Sequence, residues 1–352
     1  MSPELASVLK LARWAPSGDN TQPWRFRLLG ENAIEVLYRP SDSLGVFNLD
    51  HFAGHLAMGA LLESLDVAAS AHGWEMEASH KAEPDTASFS VRFKPANRPP
   101  SALLPFLESR VTQRRALSWS RLSAEEKRSL ETSVGKFYSL IWVEDWPAKT
   151  RLAKLLGLID KIRLTIPEAY EVHRDTIAWG TRFSEDRIPD AAIAVDPLLI
   201  RVMRWAMKSW PRVQVLNRFL WGHGLPRLEM DVIPALFCGA HCLLMANQLV
   251  TSTQEGVEAG RSMQRLWLTA TSLGLQAQPE MAPVIFSRYA AQNRAFTVNT
   301  KGWSQAQQLT QRFALLFGDD RWNRTAFMMR LGAGKAPQAR SLRKPLADLI
   351  ES

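Results

Sequence analysis

Residues 15–26 have the sequence APSGDNTQPWRF, which is the most informative stretch of the chain. The stretch follows a predicted helix over 3–14 and precedes a predicted strand, and its two prolines keep it out of regular backbone pairing. It also places a hydroxyl and two amides close together, and amides can both donate and accept hydrogen bonds. The loop is therefore suited to the edge of a flat heterocycle, although an Asx-type turn with a stacked tryptophan explains the same residues.

Hydrophobic periodicity predicts the elements on either side of this loop. Before a proline-rich linker over 95–100, the pattern predicts a helix over 3–14, a hairpin with strands over 24–29 and 34–38, a long buried helix over 52–72 ending at Gly73, and a strand over 88–93. After the linker, it predicts a helix over 103–110, a helix opened by the capping box at 123–126, a strand over 139–143, and a second long helix over 257–273 closed by Gly274.

The two long helices share a weak internal repeat. Gly59 and Gly260 are 201 residues apart, and so are Gly73 and Gly274. Apolar residues also align at this offset, although any two amphipathic helices share apolar periodicity. The paired glycines favour duplication, and two such helices would pack closely about a pseudo-twofold axis.

Composition excludes several classes of protein. With 46% hydrophobic and 22% charged residues, the 352-residue chain has a globular composition, and its charge of +8 is too diffuse to identify an anionic partner. Cys238 and Cys242 predict one buried helical face and a reducing compartment rather than a disulfide framework. No apolar run is long enough to cross a membrane, and the N-terminal residues lack the pattern of a targeting signal. We therefore expect a cytoplasmic protein. The histidines have no metal-ligand spacing, and no dinucleotide or phosphate-loop glycine motif occurs.

The loop resembles a signature of the nitroreductase family, whose first helix ends in Pro-Ser-x-x-Asn-x-Gln-Pro-Trp. Pro16, Ser17, Asn20 and Gln22 match this pattern, together with the proline and tryptophan that follow. The resemblance implies that these residues contact FMN, at its ring or ribityl chain. In this family the loop reaches the flavin held by the other subunit of a dimer.

Three later elements extend the resemblance, which covers about 5–95, 105–145 and 230–350. Residues 110–114, RVTQR, resemble the family's phosphate-binding Arg-x-Ser-x-Arg, with guanidinium and hydroxyl donors suited to a dianion. Residues 260–279 resemble the late helix whose following loop approaches the flavin ring, and the basic C-terminal tail contributes a further cation in family members. A solvated basic surface and an ordinary core helix would explain these stretches individually. The implied cofactor-binding residues here are Arg110, Thr112, Arg114, Gln278, Pro279, Arg340 and Arg343.

The resemblance implies an α+β nitroreductase-like fold of two related halves, over 1–98 and 99–352, each with a mixed or antiparallel sheet on long helices. The loop occurs only before the linker and the phosphate motif only after it. We therefore expect one FMN site per chain, and a monomer would suffice because the two halves would mimic the family dimer.

Residues of about 160–231 are not covered by the resemblance. This insert carries Arg201, Arg204, Lys208, Arg212 and Arg218 interleaved with tryptophans at 205, 210 and 221. We expect a lid whose tryptophans cover the flavin, because flavin sites exclude water. Binding to an anionic membrane or to single-stranded nucleic acid would use the same residues.

The predicted function is an FMN-dependent oxidoreductase that passes two electrons, from NAD(P)H as the expected donor, to a small organic acceptor. FMN would carry the chemistry, so no catalytic side chain is assigned. A flavin-sequestering protein and a flavin dehydrogenase acting on a biosynthetic intermediate remain as alternatives. The dehydrogenase would differ from the predicted oxidoreductase only in its substrate, which the sequence does not identify.

Overall fold

The computed structural model describes residues 1–83, 86–219 and 224–351 and has a mixed α+β architecture, which confirms the predicted class. The strands are β1 (Trp24–Leu28), β2 (Ala33–Tyr38), β3 (Trp74–Glu83), β4 (Thr86–Pro95), β5 (Tyr138–Val143), β6 (Ile177–Ala178), β7 (Phe183–Ser184), β8 (Ile188–Pro189), β9 (Ala240–Ala246), β10 (Leu275–Pro279), β11 (Thr325–Ala333), β12 (Arg340–Ser341) and β13 (Ile350–Glu351). The α-helices are α1 (Pro3–Ala12), α2 (Phe52–Ala69), α3 (Ala124–Ser133), α4 (Trp146–Thr165), α5 (Pro167–Thr176), α6 (Pro197–Ala206), α7 (Trp210–Phe219), α8 (Gly224–Arg227), α9 (Ile233–Leu236), α10 (Thr253–Ser272), α11 (Ala282–Ala291), α12 (Thr300–Phe317) and α13 (Asp319–Asn323).

The first sheet has the strand order β13-β1-β2-β4-β3 and joins the two ends of the chain. The predicted hairpin is confirmed as antiparallel β1 and β2, with Trp24 opposite Tyr38. On the other side of β1, the C-terminal strand β13 pairs in parallel, with Phe26 opposite Ile350. The C-terminal tail is therefore anchored beside the loop that precedes β1.

The second sheet has the order β10-β11-β9-β5 and is antiparallel throughout. Its central strand β9 corrects the prediction that Cys238 and Cys242 share a helical face. Cys242 lies within β9 and Cys238 lies in the bend before it, and both are buried free thiols. The apolar run was misassigned because a short, fully buried strand and a buried helix both give continuous apolar sequence.

The two long helices cross in direct contact at the predicted glycines. A Cβ atom on Gly59 would lie 1.9 Å from the carbonyl oxygen of Val257, and one on Gly260 would lie 2.2 Å from that of Leu56. Both distances are far below van der Waals contact, so each glycine is required by the close approach of backbone. The two contacts are equivalent at the offset of 201 residues, because residues 257 and 260 of the second helix correspond to residues 56 and 59 of the first.

Side-chain contacts across the crossing follow the same offset. Gln264 donates from Nε2 to Oγ of Ser64 at 2.9 Å, and the equivalent pair is Arg265, which donates from Nη1 to Oε2 of Glu63 at 2.8 Å. These exchanged contacts are those expected of a pseudo-twofold axis between the helices. Duplication of two halves divided near residue 98 nevertheless stays a prediction.

The region after the linker differs in one respect from the prediction. Instead of a helix over 103–110, the chain forms only a short 3-10 turn, Leu104–Phe106, and then runs alongside the second sheet. Thr112 forms a parallel bridge with Ala277, and the amide of Gln113 donates to the Ala277 carbonyl at 2.9 Å. This pairing holds the segment that follows the turn in an extended conformation.

Candidate active site

One cavity of about 390 Å³ gathers the predicted cofactor-binding residues from distant parts of the chain. Its volume falls within the range of roughly 300–1,000 Å³ that is usual for small-molecule sites. All but one of the predicted residues line it: Pro16, Ser17, Asn20, Arg110, Thr112, Arg114, Gln278, Pro279, Arg340 and Arg343. The exception is Gln22, which is fully buried outside the lining. Binding of a cofactor by these residues stays a prediction.

The loop of residues 16–22 has an unusual backbone. Asp19, Asn20 and Gln22 have φ angles of 46°, 64° and 49°, in the left-handed region that side chains other than those of Asn, Asp and Gly rarely adopt. The hydroxyl of Ser17 stabilises this conformation by accepting a hydrogen bond from the backbone N–H of Gln22 at 2.9 Å. Strained backbone of this kind is maintained by its surroundings, and it concentrates at functional sites.

The two loop amides bind protein backbone. Asn20 donates from Nδ2 to the carbonyl of Glu185 at 3.1 Å, and Gln22 donates from Nε2 to the same carbonyl at 2.8 Å. The other end of the Gln22 amide accepts from the backbone N–H of Lys344 at 2.9 Å. These amides therefore connect the loop to the insert and to the C-terminal tail, an arrangement that sequence alone did not predict.

Four arginines surround Trp14, and three of them, Arg110, Arg340 and Arg343, also line the cavity. The carbonyl oxygen of Trp14 accepts from Arg110 Nη2 at 3.1 Å and from Arg343 Nη2 at 3.2 Å. The guanidinium of Arg340 lies 4.8 Å from the centre of a Trp14 ring, and that of Arg13 lies 5.6 Å from it. We call Arg13, Arg110, Arg340 and Arg343 the arginine cluster.

The arginine cluster lacks a neutralising partner. Within residues 1–83, 86–219 and 224–351, none of its guanidinium groups lies within 4.0 Å of a carboxylate oxygen. Burial, with a contribution from the Arg340 charge, lowers the pKa of Arg110 to about 9, and burial lowers the pKa of Arg343 well below its ordinary value. The buried Nε atoms of Arg13, Arg110 and Arg340 also have no hydrogen-bond partner in the described structure. Concentrated cations with unused donors form a site for an anion.

A further arginine, Arg330, lines the cavity and was not predicted as a site residue. Arg330 is almost fully buried in β11 and donates to the backbone carbonyls of Arg115 at 3.0 Å and Arg114 at 2.7 Å. It also donates to the side-chain oxygen of Gln278 on the neighbouring strand. Arg330 thus orients Gln278 and fixes the backbone beside Arg114. The available signal was a single cation within the apolar stretch 325–333.

A buried ion pair lies behind the cavity wall at Glu280. His241 Nδ1 is 2.7 Å from Oε2 of Glu280, and its Nε2 is 2.8 Å from the carbonyl oxygen of Ala235. Because both neighbours are acceptors, the imidazole donates from both nitrogens and is protonated. Burial opposes this charge, but the charges of Glu280 and then Cys238 raise the pKa of His241 to about 10.

The insert forms the other end of the cavity. Its lining there is largely apolar, from Met203, Met207 and Met230, and it includes the carboxylates of Asp160 and Asp231. The sequence analysis assigned no role to either carboxylate. Their contacts with Arg163, at 2.7 Å and 3.7 Å, place two acids and one base at this end.

Two of the tryptophans expected to cover the cavity, Trp205 and Trp210, do not line it. Trp205 is 46% exposed, and Trp210 packs on Tyr170 with ring centroids 5.4 Å apart; neither contributes to the lining. Met203 on α6 and Met207, the residue that caps the C-terminus of α6, lie four residues apart and line the cavity instead. Trp221 and His223 lie outside the described residues.

The basic residues of the insert are mostly on the surface. Arg201, Arg204 and Lys208 are exposed, and Arg212 lies 5.1 Å from a Trp205 ring centre. No described helix is both long and apolar enough to cross a membrane. Among the same described residues, no three histidine, cysteine or acidic side chains form a group that could hold a metal ion.

Comparisons with known proteins find two relatives that are named as nitroreductases. No family model matches. Two Mycobacterium tuberculosis proteins, from strains CDC 1551 and H37Rv, are 24% identical over 310 residues, covering 85% of this chain and 82% of each relative. Both are named "Putative NAD(P)H nitroreductase".

Two solved structures also match, at lower identity. An FMN-bound nitroreductase from Bacteroides fragilis is 10% identical and covers 70% of this chain and 94% of its own, with a TM-score of 0.35. The FMN-dependent nitroreductase NfnB from Mycobacterium smegmatis, in complex with NADPH, is 13% identical and covers 70% and 96%, with a TM-score of 0.37. TM-scores below 0.5 support no conclusion about this chain. The chain is nevertheless similar over most of its length to the two named nitroreductases, and the family resemblance indicated by its loop and arginine motif is confirmed.

Proposed function

We propose that this protein is an FMN-dependent oxidoreductase that passes two electrons from NAD(P)H to a small organic acceptor. The observation that carries the proposal is the arginine cluster, three of whose four cations line the cavity, without a carboxylate of the described residues in contact with any of them. A buried charge without a partner is costly, and a bound anion would remove part of that cost. A ligand with a dianionic phosphate at one end meets this requirement.

The residues present fit the phosphate of FMN. Arg110 and Arg340 have unused Nε donors, and Thr112 adds a hydroxyl to the same lining. Arg343 holds the site together, because its Nη1 donates to Oδ1 of Asn20 at 2.9 Å and its Nε donates to the Ala15 carbonyl at 3.0 Å. The phosphate would therefore bind where the N-terminal loop and the C-terminal tail meet.

The remaining walls suit the ring and the acceptor. Gln278 and Pro279 would lie along the ring, with Gln278 oriented by Arg330. When bound, FMN supplies the redox chemistry by taking up a hydride and passing two electrons on. The residues of β10 that line the cavity would orient the cofactor, and the methionines of the insert would help to exclude water from it.

Because residues from 16–20, 110–114 and 340–343 line one cavity, we expect one FMN per chain and activity as a monomer. The names of the M. tuberculosis relatives favour NAD(P)H as the donor. The free thiols of Cys238 and Cys242 favour a reducing, cytoplasmic environment. A flavin dehydrogenase would use the same site with another substrate.

A flavin-sequestering protein is the second candidate, and the apolar lining that Met203, Met207 and Met230 contribute favours it. The two functions are distinguished by anaerobic addition of NADPH to the FMN-loaded protein. An oxidoreductase loses the visible absorbance of its oxidised flavin and regains it when an acceptor is added. A sequestering protein stays yellow, and a protein that takes up no FMN would contradict both functions.

A further inference from the structure

The carboxyl group of Asp160 is buried at the insert end of the cavity with one oxygen unused. Asp160 lies on α4 and is 4% exposed. Its Oδ1 contacts Nη2 of Arg163 at 2.7 Å, whereas its Oδ2 has no hydrogen-bond partner among the residues that the structure describes. A buried anionic oxygen without a donor is costly, and protonation of that oxygen relieves the cost.

Charged groups from several elements act on this carboxyl. Arg163 on α4 and Arg227 on α8 favour the charged form, whereas Glu280, which follows β10, disfavours it. Asp231, in the segment after α8, shares Arg163, since its Oδ2 lies 3.7 Å from Nη2, and it has no hydrogen bond there. Burial is the largest effect and raises the pKa of Asp160 to about 6. Such a carboxyl can both give and regain a proton near neutral pH.

The surroundings indicate what this carboxyl meets. Met203, Met207 and Met230 line the same end of the cavity, so a molecule bound there would be largely apolar and would have its polar atom at Asp160. A purely structural role, anchoring Arg163, uses Oδ1 and leaves Oδ2 unexplained. Oδ2 has less than 1 Å² of accessible surface and no partner, so it is the atom of Asp160 that would form a new hydrogen bond once a bound molecule displaces the side chains over it.

We propose that Asp160 donates the proton that an apolar carbonyl acceptor needs when it is reduced in this cavity. The inference rests on the proposed function, which supplies reduced FMN as the hydride donor. For a quinone, one hydride from the reduced cofactor and one proton from Asp160 convert the acceptor to the hydroquinone. The Asp160 O–H bond breaks, an O–H bond forms on the acceptor oxygen, and the carboxylate takes its proton back from water after product leaves.

The test compares an acceptor that needs a proton with one that does not. FMN-loaded enzyme is reduced anaerobically with NADPH, or with dithionite if NADPH is not a donor, and mixed with menadione or with ferricyanide in a stopped-flow instrument. In Asp160→Asn we expect flavin reoxidation by menadione to slow by roughly 10²–10⁴-fold. Reoxidation by ferricyanide, which takes electrons alone, stays within about twofold. Retention of FMN checks that the variant folds.

The pH profile and a control variant complete the experiment. In the wild type the menadione rate falls as pH rises through about 6, and Asp160→Asn loses this dependence whereas Asp160→Glu recovers part of the rate. The matched control is Asp175→Asn, an exposed acid of the insert outside the cavity, which changes neither rate. Equal slowing with both acceptors, or an unchanged menadione rate and pH profile, would overturn the proposal.

A second readout is independent of the loaded enzyme. In cofactor-free protein labelled with ¹³C at the aspartate carboxyls, we expect one resonance that titrates near 6 and is missing from Asp160→Asn. If the wild type binds no flavin, the proposed function fails, yet this titration still tests Asp160. A midpoint at or below the ordinary value of 3.8 would contradict the inference.

Discussion

Replacing Arg110 with alanine separates phosphate recognition from recognition of the flavin ring. Arg110 is buried, its Nη2 contacts the Trp14 carbonyl, its guanidinium lies 4.4 Å from a Trp267 ring centre, and its Nε is unused. One charge-assisted hydrogen bond is worth about 1.5–3 kcal/mol. Loss of one such bond to phosphate should weaken FMN binding roughly 10- to 150-fold. Riboflavin, which lacks the phosphate, should bind the variant as it binds the wild type.

The same substitution should leave the cofactor-free protein at least as stable. Removing the Arg110 charge relieves repulsion from Arg340 and Arg343, and the Trp14 carbonyl keeps its bond from Arg343. We expect the melting temperature of the cofactor-free variant not to fall, as measured by circular dichroism.

Fluorescence titrations of cofactor-free protein with FMN and with riboflavin give the affinities for this comparison. Arg201→Ala, which removes an exposed arginine outside the cavity, is the matched control and should change neither affinity. The reasoning is refuted if Arg110→Ala weakens both ligands equally, or if it leaves FMN binding unchanged.

Three further substitutions test the fold and the walls of the cavity. Gly59→Ala should lower the urea midpoint by an amount equivalent to about 1–3 kcal/mol, because the added Cβ would overlap the backbone of the other helix. Gly30→Ala is the control and should leave the midpoint unchanged, because the space around Gly30 is open. Equal midpoints for the two variants would contradict the close crossing. Asn20→Ala removes the bond to the insert backbone and puts alanine at a φ of 64°, so hydrogen exchange over 183–189 should accelerate, and unchanged exchange would speak against that contact. The raised pKa of His241 means that its contribution to stability is complete below pH 6.5 and is lost as pH rises to about 10. Glu280→Gln should make the fall in stability over this interval less steep, as measured by urea unfolding at several pH values. An equally steep fall in the variant would contradict a stabilising ion pair.

Much of the fold could be predicted from local pattern. The hairpin turns at Gly30, and the α3 capping box forms as expected, with Ser123 Oγ accepting from the Glu126 amide at 3.1 Å. The glycines at 59 and 260 predicted a close helix crossing because a small residue in a long apolar helix has few other uses. These features depend on residues that are near in sequence, or on one steric requirement.

Other features depend on contacts between distant segments, which sequence patterns do not record. Gln22 matched the family loop, yet its amide is used by Glu185 and Lys344, more than 160 residues away. Arg330 and Asp160 lie within apolar stretches of sequence. Hydrophobic periodicity predicts which positions of such a stretch are buried, but not which cavity a single charged side chain will line.

The helix predicted over 103–110 failed for a related reason. The apolar pattern there reflects packing of the segment, but pairing of Thr112 with Ala277 holds the chain extended after one short turn. Tertiary pairing overrode local helix preference. The tryptophans at 205 and 210 were likewise predicted to face the cavity from their residue type, whereas the α6 face that carries Met203 and Met207 does so.

Titration of the cofactor-free protein with FMN, followed by absorbance and calorimetry, tests most directly whether the N-terminal loop and the C-terminal tail build one flavin site. We predict a yellow complex with one FMN per chain and weaker binding of riboflavin. A protein that remains colourless in excess FMN, or that binds two molecules per chain, would contradict the account.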